Sequence, residues 1–380
     1  TFANAGDNLL EVARSANVAI DAPCSGNGAC GKCRVQLKSG ELESKKTLHI
    51  SDEEYQEGWR LACCSKISAD VNVLVPDIAS AYKSRMKVAD LSSKEEIAIF
   101  ENAKSDIQLA GIELKNSLEV VDVLMDVPSL DDTMPDNERL TRALRKYLNI
   151  NRVRIPYVVL KKLPDVLREN NFAVKCVIRA TSDDMFVYDI FGKDEDVVIG
   201  GLAIDIGTTT VSAVLINMEN GEILAKSSAG NGQIRFGADV INRIVESQKP
   251  GGQKKLQDAV IKETINPMIH EMCKSAKFPK DHIYRMCVAS NTTMNHLFAG
   301  INSDPLRTEP YIPAFFKTNS LFASDVGIAI NKDAHIIIAP NIGSYVGGDI
   351  TAGTLVSQIW NRPEFSLFID LGTNGELVFG

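Results

Sequence analysis

The sequence predicts a multidomain chain that mixes α/β and α+β units. Three observations carry that expectation. Five of the eight cysteines fall between Cys24 and Cys64, inside one short stretch. A buried-strand pattern running into an acidic Gly-Thr turn, Leu202–Thr210, returns as Leu367–Gly375, with Asp370 placed 165 residues after Asp205. Between these features, segments of strand period and helix period alternate. At about 100–200 residues per domain, 380 residues make two or three domains.

Composition narrows the function classes. With 44% hydrophobic and 24% charged residues the chain has an ordinary globular balance. A net charge of -8 argues against a nucleic-acid binder that depends on a broad basic surface. No apolar run approaches the roughly 18–20 residues of a membrane helix. The start, Thr1-Phe2-Ala3-Asn4, has no basic flank and no apolar core of a signal peptide, and it lacks an initiator Met, so residues in front of it are expected to be missing. Clustered cysteines in such a chain point to metal binding in a reducing, cytoplasmic compartment. The scattered Cys176, Cys273 and Cys287 read as core thiols.

Residues 1–78 read as a small mixed unit. Asp7 is positioned to cap a helix over Leu9–Ala16, Cys33–Leu37 reads as a strand, and Ser51 with Glu54 forms a capping box. Val71, Val73 and Val75 alternate as in a half-buried strand. Residues 79–115 read as a linker with some helix over Lys94–Lys104. Residues 116–198 read as an α+β middle domain, with strands at Leu118–Val127 and Phe172–Ile178. Its helices are Asn137–Leu148, striped by Leu140, Leu144 and Leu148, and Leu160–Arg168. Residues 199–380 begin with three strands, Leu202–Ile206, Val211–Ile216 and Ile223–Ser227, the last two joined by an Asn220-Gly221 turn. A long helical segment, Gln253–Ala276, is expected to kink at Pro267.

Two constellations carry chemistry. The first is Cys24-x5-Cys30-x2-Cys33-x29-Cys63. Glycines 26, 28 and 31 let the backbone wrap closely and aim N–H groups at sulfur. Two irons need four ligands. The spacing departs by one residue from the plant-type ferredoxin pattern, and a zinc site would need a better second knuckle than the adjacent Cys63-Cys64. Either of those two could be the fourth ligand, since a strand would point them to opposite faces. The run Ala22–Cys33 followed by Arg60-Leu61-Ala62-Cys63 resembles a [2Fe-2S] ferredoxin domain of β-grasp fold. That resemblance implies Cys24, Cys30, Cys33 and Cys63 as ligands.

The second constellation is the repeated turn. Asp205 and Asp370 are suited to hold hydrated magnesium. Gly207 and Gly372 admit a phosphate close to the backbone, and Thr208, Thr209, Thr210, Thr373 and Asn374 supply donors to phosphoryl oxygens. The pair resembles the two phosphate loops of the sugar kinase, heat-shock protein 70 and actin (ASKHA) superfamily, in which two lobes close on ATP. Asn291, between a strand and a helix, is placed either near the nucleotide or as a helix cap. Asp239 and Arg243 are read as a surface pair or a functional one, and Asp349 as a cap.

A ferredoxin domain joined to such an ATPase resembles the reductive activators of corrinoid-dependent methyl-transfer proteins. The resemblance implies an ATP-hydrolysing activase, usually a homodimer. It takes one electron from a low-potential donor and passes it from the [2Fe-2S] cluster to Co(II) of a corrinoid protein, restoring Co(I). Alternatives are an electron carrier without ATP coupling, a small-molecule kinase, or an activator of 2-hydroxyacyl-CoA dehydratases. Only Glu376 to Gly380 follow the second loop, so 1–380 reads as a C-terminally truncated chain holding the first lobe, with weak ATP binding expected.

Overall fold

The computed structural model describes residues 1–380 except 17, 19, 21, 23–25, 27, 29–30, 77–93, 115–116, 149, 319 and 373–374. Helix α1 (Leu9–Ser15) opens the N-terminal unit. Its cap is Asn8, not the expected Asp7: Asn8 Oδ1 accepts from the Leu10 and Glu11 amides, whereas Asp7 accepts from Asn4. An Asn cap of this kind is worth about 1 kcal/mol. Strands β1 (Arg34–Ser39), β2 (Leu42–Ser44), β3 (Trp59–Leu61), β4 (Ser65–Ile67) and β5 (Asn72–Leu74) form two small sheets, β3-β1-β5 and β2-β4. Between β2 and β3, α2 (Asp52–Gln56) carries the Ser51–Glu54 capping box that its sequence forecasts. Leu9, Leu10, Val35 and Leu61 fill the core beneath.

The α+β unit follows helix α3 (Lys94–Leu109). Strands β6 (Leu118–Leu124), β7 (Arg152–Arg154), β8 (Ala173–Ala180) and β9 (Asp184–Gly192) order as β6-β8-β9-β7. Helices α4 (Asp136–Leu148) and α5 (Tyr157–Glu169) place Leu140, Leu144, Val159, Leu163 and Leu167 against that sheet. The side chain of Leu148 lies outside the described residues. A second cluster joins this unit to the next: Leu118, Val177, Tyr188 and Phe191 meet Val197, Ile199 and Tyr284. Arg285 Nη2 donates to Ser117 Oγ at 2.8 Å across the same seam.

The last unit is a lobe on a six-stranded sheet. Its strands are β10 (Gly200–Ile206), β11 (Thr210–Asn217), β12 (Ile223–Gly230), β13 (Ile283–Ala289), β14 (Leu321–Phe322) and β15 (His335–Ile338), in the order β12-β11-β10-β13-β15-β14. The first three run antiparallel as hairpins, and β10, β13 and β15 run parallel. Leu202, Ile204 and Ile206 point to one face, where α7 (Gly252–Val260) and α8 (Asn266–Ala276) cover them after α6 (Val240–Ser247). The expected long helix is interrupted by a π-helical turn, Ile261–Ile265, and Pro267 sits harmlessly in the first turn of α8. Cys176 and Cys273 are core residues as expected, but Cys287 is exposed. Alternation along β13 sends Met286 and Val288 inward, and Cys287 out. After α9 (Thr292–Ala299), α10 (Ala323–Val326) and α11 (Gly348–Ser357), the chain ends in a separate hairpin, β16 (Leu367–Leu371) with β17 (Gly375–Phe379).

Candidate functional site

The thiol cradle lies where α1, β1 and the β3–β4 connection meet. That connection is a single 3-10 turn, Ala62–Cys64, not a strand end. The two adjacent cysteines therefore do not point to opposite faces: their sulfurs lie 3.6 Å apart. Cys63 Sγ is also 3.2 Å from Cys33 Sγ, well beyond the ~2.05 Å of a disulfide, so the two sulfurs are not bonded to each other. The hydrogen bond from Cys63 pulls Cys33 down to about 6 against its burial, and the same contact with burial drives Cys63 up. Cys33 is thus held ready as a thiolate, the form that binds metal.

The cradle is fitted tightly around these sulfurs. Gly26 and Gly28 adopt φ of +90° and +74°, and a Cβ on Gly28 would sit 3.3 Å from Cys64 Sγ. The Cys63 carbonyl accepts from Asn8 Nδ2 at 2.9 Å, and the Cys33 carbonyl from the Ala62 amide at 2.8 Å. An unbridged cysteine pair beside a glycine loop fits an iron–sulfur group. Cys24 and Cys30 lie outside the described residues. Among the described residues no group of three metal-binding side chains assembles.

The first Gly-Thr turn, the expected phosphate loop, is built at the C-terminal edge of the parallel strands, the edge where open α/β sheets bind ligands. Asp205 pairs with Ala289 across β10 and β13, so Gly207–Thr209 and Ser290–Asn291 emerge side by side. A Cβ on Gly207 would approach the Thr210 carbonyl to 2.7 Å, which explains the glycine. Asn291 is the helix cap expected as one of its two readings, and it also touches the loop. Its Oδ1 caps α9 at Met294 N (3.0 Å), and its Nδ2 reaches Thr208 Oγ1 at 3.4 Å.

Two residues outside the expected site hold this loop. Asn231 Nδ2 donates to the Gly207 carbonyl, and its own amide to the Thr209 carbonyl, both at 2.8 Å. Arg243 is fully buried and donates to the Thr208 and Gly237 carbonyls and to Gln233 Oε1. The surface-pair reading of Asp239 and Arg243 therefore fails. Asp239 caps α6 through Asn242, and burial holds Arg243 down to about 9. The available signal was an arginine on the apolar side of an amphipathic helix.

Acidic side chains lie within electrostatic reach of Asp205, though Asp205, Asp349, Asp370 and Glu376 form no ligand cluster among the described residues. Asp205 has a solvent-open edge yet is pushed up to about 6 by burial and by Asp349 and Asp370. Asp349 and Glu376 are also raised, first by burial and then by their acidic neighbours. Asp349 is brought in because the Gly348 amide donates to the Ser290 carbonyl at 2.8 Å, fixing the start of α11 against the loop. Asp370 faces Glu376 directly across the β16–β17 ladder, a like-charge pair that is unfavourable without a cation. Glu376 and Asp349 were not expected as site residues. Gly372 is exposed at the hairpin tip, and Thr373 and Asn374 lie outside the described residues.

Residues 1–68 match the 2Fe-2S iron-sulfur cluster binding domain. Residues 107–197 match the RACo linker region and residues 200–362 the RACo middle region. The chain belongs to the RACo family. The stretch read above as a middle domain, 116–198, corresponds to most of the RACo linker match, and the RACo middle match covers 200–362 of the expected ATPase unit 199–380, stopping before the second Gly-Thr turn. The chain is 28% identical over 374 residues to the corrinoid activation enzyme RamQ of Eubacterium limosum, covering 98% of this chain and 56% of that protein. It is similar to the solved structure of a reductive activator for corrinoid, iron-sulfur protein, with TM-score 0.63 and 34% identity, covering 100% of this chain and 59% of that one. A stretch of 75 residues is also 40% identical to a component of the Na(+)-translocating NADH-quinone reductase of Actinobacillus pleuropneumoniae, over 19% of this chain and 18% of that protein. This RACo chain thus spans a little over half the length of its full-chain relatives. No helix among the described residues is long and apolar enough to cross a membrane.

Proposed function

We propose that this RACo chain takes part in ATP-dependent reductive activation of a corrinoid protein, returning Co(II) to Co(I) with one electron. The observation that carries the reading is the presence in one chain of a cysteine cradle and a braced Gly-Thr loop. When bound, a [2Fe-2S] cluster accepts and releases single electrons. Cys33 and Cys63 would hold it together with Cys24 and Cys30. Asn8 and Ala62 fix the carbonyls of the first two, and so their orientation.

On the lobe, the Thr208, Thr209 and Thr210 hydroxyls and amides would face phosphoryl oxygens beside Gly207. Asp205 and Asp370 are the carboxylates that would hold Mg2+, and a cation beside Asp370 would offset its repulsion against Glu376. Plant-type clusters sit near about -400 mV, so reduction of Co(II) is uphill and needs a nucleotide-dependent difference between states. ATP hydrolysis, a homodimer and a low-potential electron donor complete the proposal.

The test uses the full-length protein, a Co(II) corrinoid protein and a low-potential reductant. Co(I) absorbance is expected to appear only with ATP and Mg2+. Equal rate and extent without ATP would sink the coupling.

A further inference from the structure

The cluster domain meets the nucleotide lobe through a buried guanidinium. Arg14, in the last turn of α1, is only 4% exposed. Its Nε donates to the Arg235 carbonyl at 2.7 Å, 221 residues away in sequence. Its Nη1 binds Glu11 at 2.8 Å and stands 4.0 Å from Glu246, a buried carboxylate of α6 that also holds Lys249. Its Nη2 is buried with no hydrogen-bond partner among the described residues. A partly satisfied buried cation is an expensive contact to keep, so its geometry matters.

From Arg14 a hydrogen-bonded path runs both ways. Toward the thiols, α1 is a short rod anchored by Leu9 and Leu10, and its cap Asn8 donates to the Cys63 carbonyl. Toward the nucleotide, Arg235 belongs to the 3-10 turn Gly232–Phe236, whose cap is Asn231. Asn231 grips the Gly207 and Thr209 carbonyls, and Gln233 of the same turn shares Arg243 with the Thr208 carbonyl. The Gly232 amide is pinned to Thr264 of the π-helical turn at 3.1 Å. The turn that receives Arg14 is therefore hydrogen-bonded directly to the Gly207–Thr209 loop.

We infer that Arg14 is a positioning residue: it seats the cluster domain on the lobe in a way that depends on the conformation of the phosphate loop. This inference rests on the nucleotide reading above and deepens it. A narrow contact lets one domain move against another by default. A hydrogen bond to a carbonyl is lost steeply with distance and angle. A small displacement of Gly207–Asn231 on binding Mg–ATP thus shifts Arg235 and changes how firmly α1 is held.

Hydrogen–deuterium exchange on the cluster-loaded full-length protein, with and without Mg–ATP, tests this. In the wild type, ATP is expected to change exchange at Gly207–Asn231 and, by about threefold, in α1 and at Ala62–Cys64. In R14A the loop response stays and the α1 response falls to less than about half. R14K keeps the charge but lacks the Nε donor, and is expected to lose the α1 response equally. Unchanged cluster absorbance in both variants shows that the domain is folded. A full α1 response in R14A and R14K overturns the inference, as does a wild-type loop response with none in α1. No response in the loop itself overturns the nucleotide reading, and the inference with it.

Discussion

The two Gly-Thr turns share one sequence design and meet opposite environments. Leu202, Ile204 and Ile206 of the first are 3%, 3% and 1% exposed, while Asp205 on the other face reaches solvent. In the second, Leu367, Ile369 and Leu371 are 57%, 47% and 87% exposed, and Asp370 shares its half-covered face with Phe368, Glu376 and Val378, close to α11. The same alternation is buried in opposite senses. Strand and turn are local properties, but which face is dry depends on the helices that arrive from elsewhere. For β10 those are α7 and α8. For β16 no described element covers the apolar face.

The sharpest break of this comparison is a matched pair of truncations. Ile204→Ala should cost about 2–5 kcal/mol, as for a buried aliphatic, whereas Ile369→Ala in this chain should cost under about 1 kcal/mol. Urea unfolding followed by circular dichroism measures both. Equal losses would show that the second hairpin is as well packed as the first. Next in size, Asn231→Ala removes the side-chain donor to the Gly207 carbonyl, a brace of the first loop only. It should cost about 1–3 kcal/mol, with weaker Mg–ATP binding by isothermal calorimetry of the full-length protein.

Acidity gives a third contrast. Asp205 titrates at about 6 in the folded lobe against an ordinary value of 3.8. As pH falls from about 6 to about 4, the folded lobe takes up a proton that the unfolded chain does not, so this group adds stability in that window. Metal binding goes the other way, because the carboxylate is lost. The unfolding midpoint attributable to Asp205, read against Asp205→Asn, should rise as Mg2+ affinity falls. Both moving together would refute the assignment. The smallest effect is expected at Glu376→Gln, which relieves the charge opposite Asp370 and should stabilise the metal-free hairpin by about 0.2–1 kcal/mol in thermal melts, with a loss of Mg2+ affinity.

Much of the lobe was legible in the residues, because its strands alternate strictly and its Asn220-Gly221 turn has one good conformation. The iron–sulfur character of the first unit was legible from its clustered cysteines, and the Ser51–Glu54 capping box from its residue types. What escaped notice was set by distant packing. Arg243 lies on the apolar stripe of its helix, but its partners, the Thr208 and Gly237 carbonyls, come from other segments and could not be read locally. Asp349 looks like a cap until Ser290 pins Gly348 beside β10. Strand β9 and the π-helical turn carry no local signature strong enough to separate them from their neighbours.

By itself the sequence determined the RACo ingredients: a thiol-rich glycine loop, an acidic Gly-Thr turn made twice, and the order of the units that carry them. Those are short-range matters of bond geometry, capping and side-chain chemistry. Only the tertiary structure decided that Cys63 and Cys64 share one 3-10 turn, that Asp349 and Asp370 come within electrostatic reach of Asp205, and that Arg14 of the cluster domain lies against the turn bracing the first Gly-Thr loop. Each of those joins residues whose burial and hydrogen bonding are settled by what packs nearby and not by what precedes in the chain.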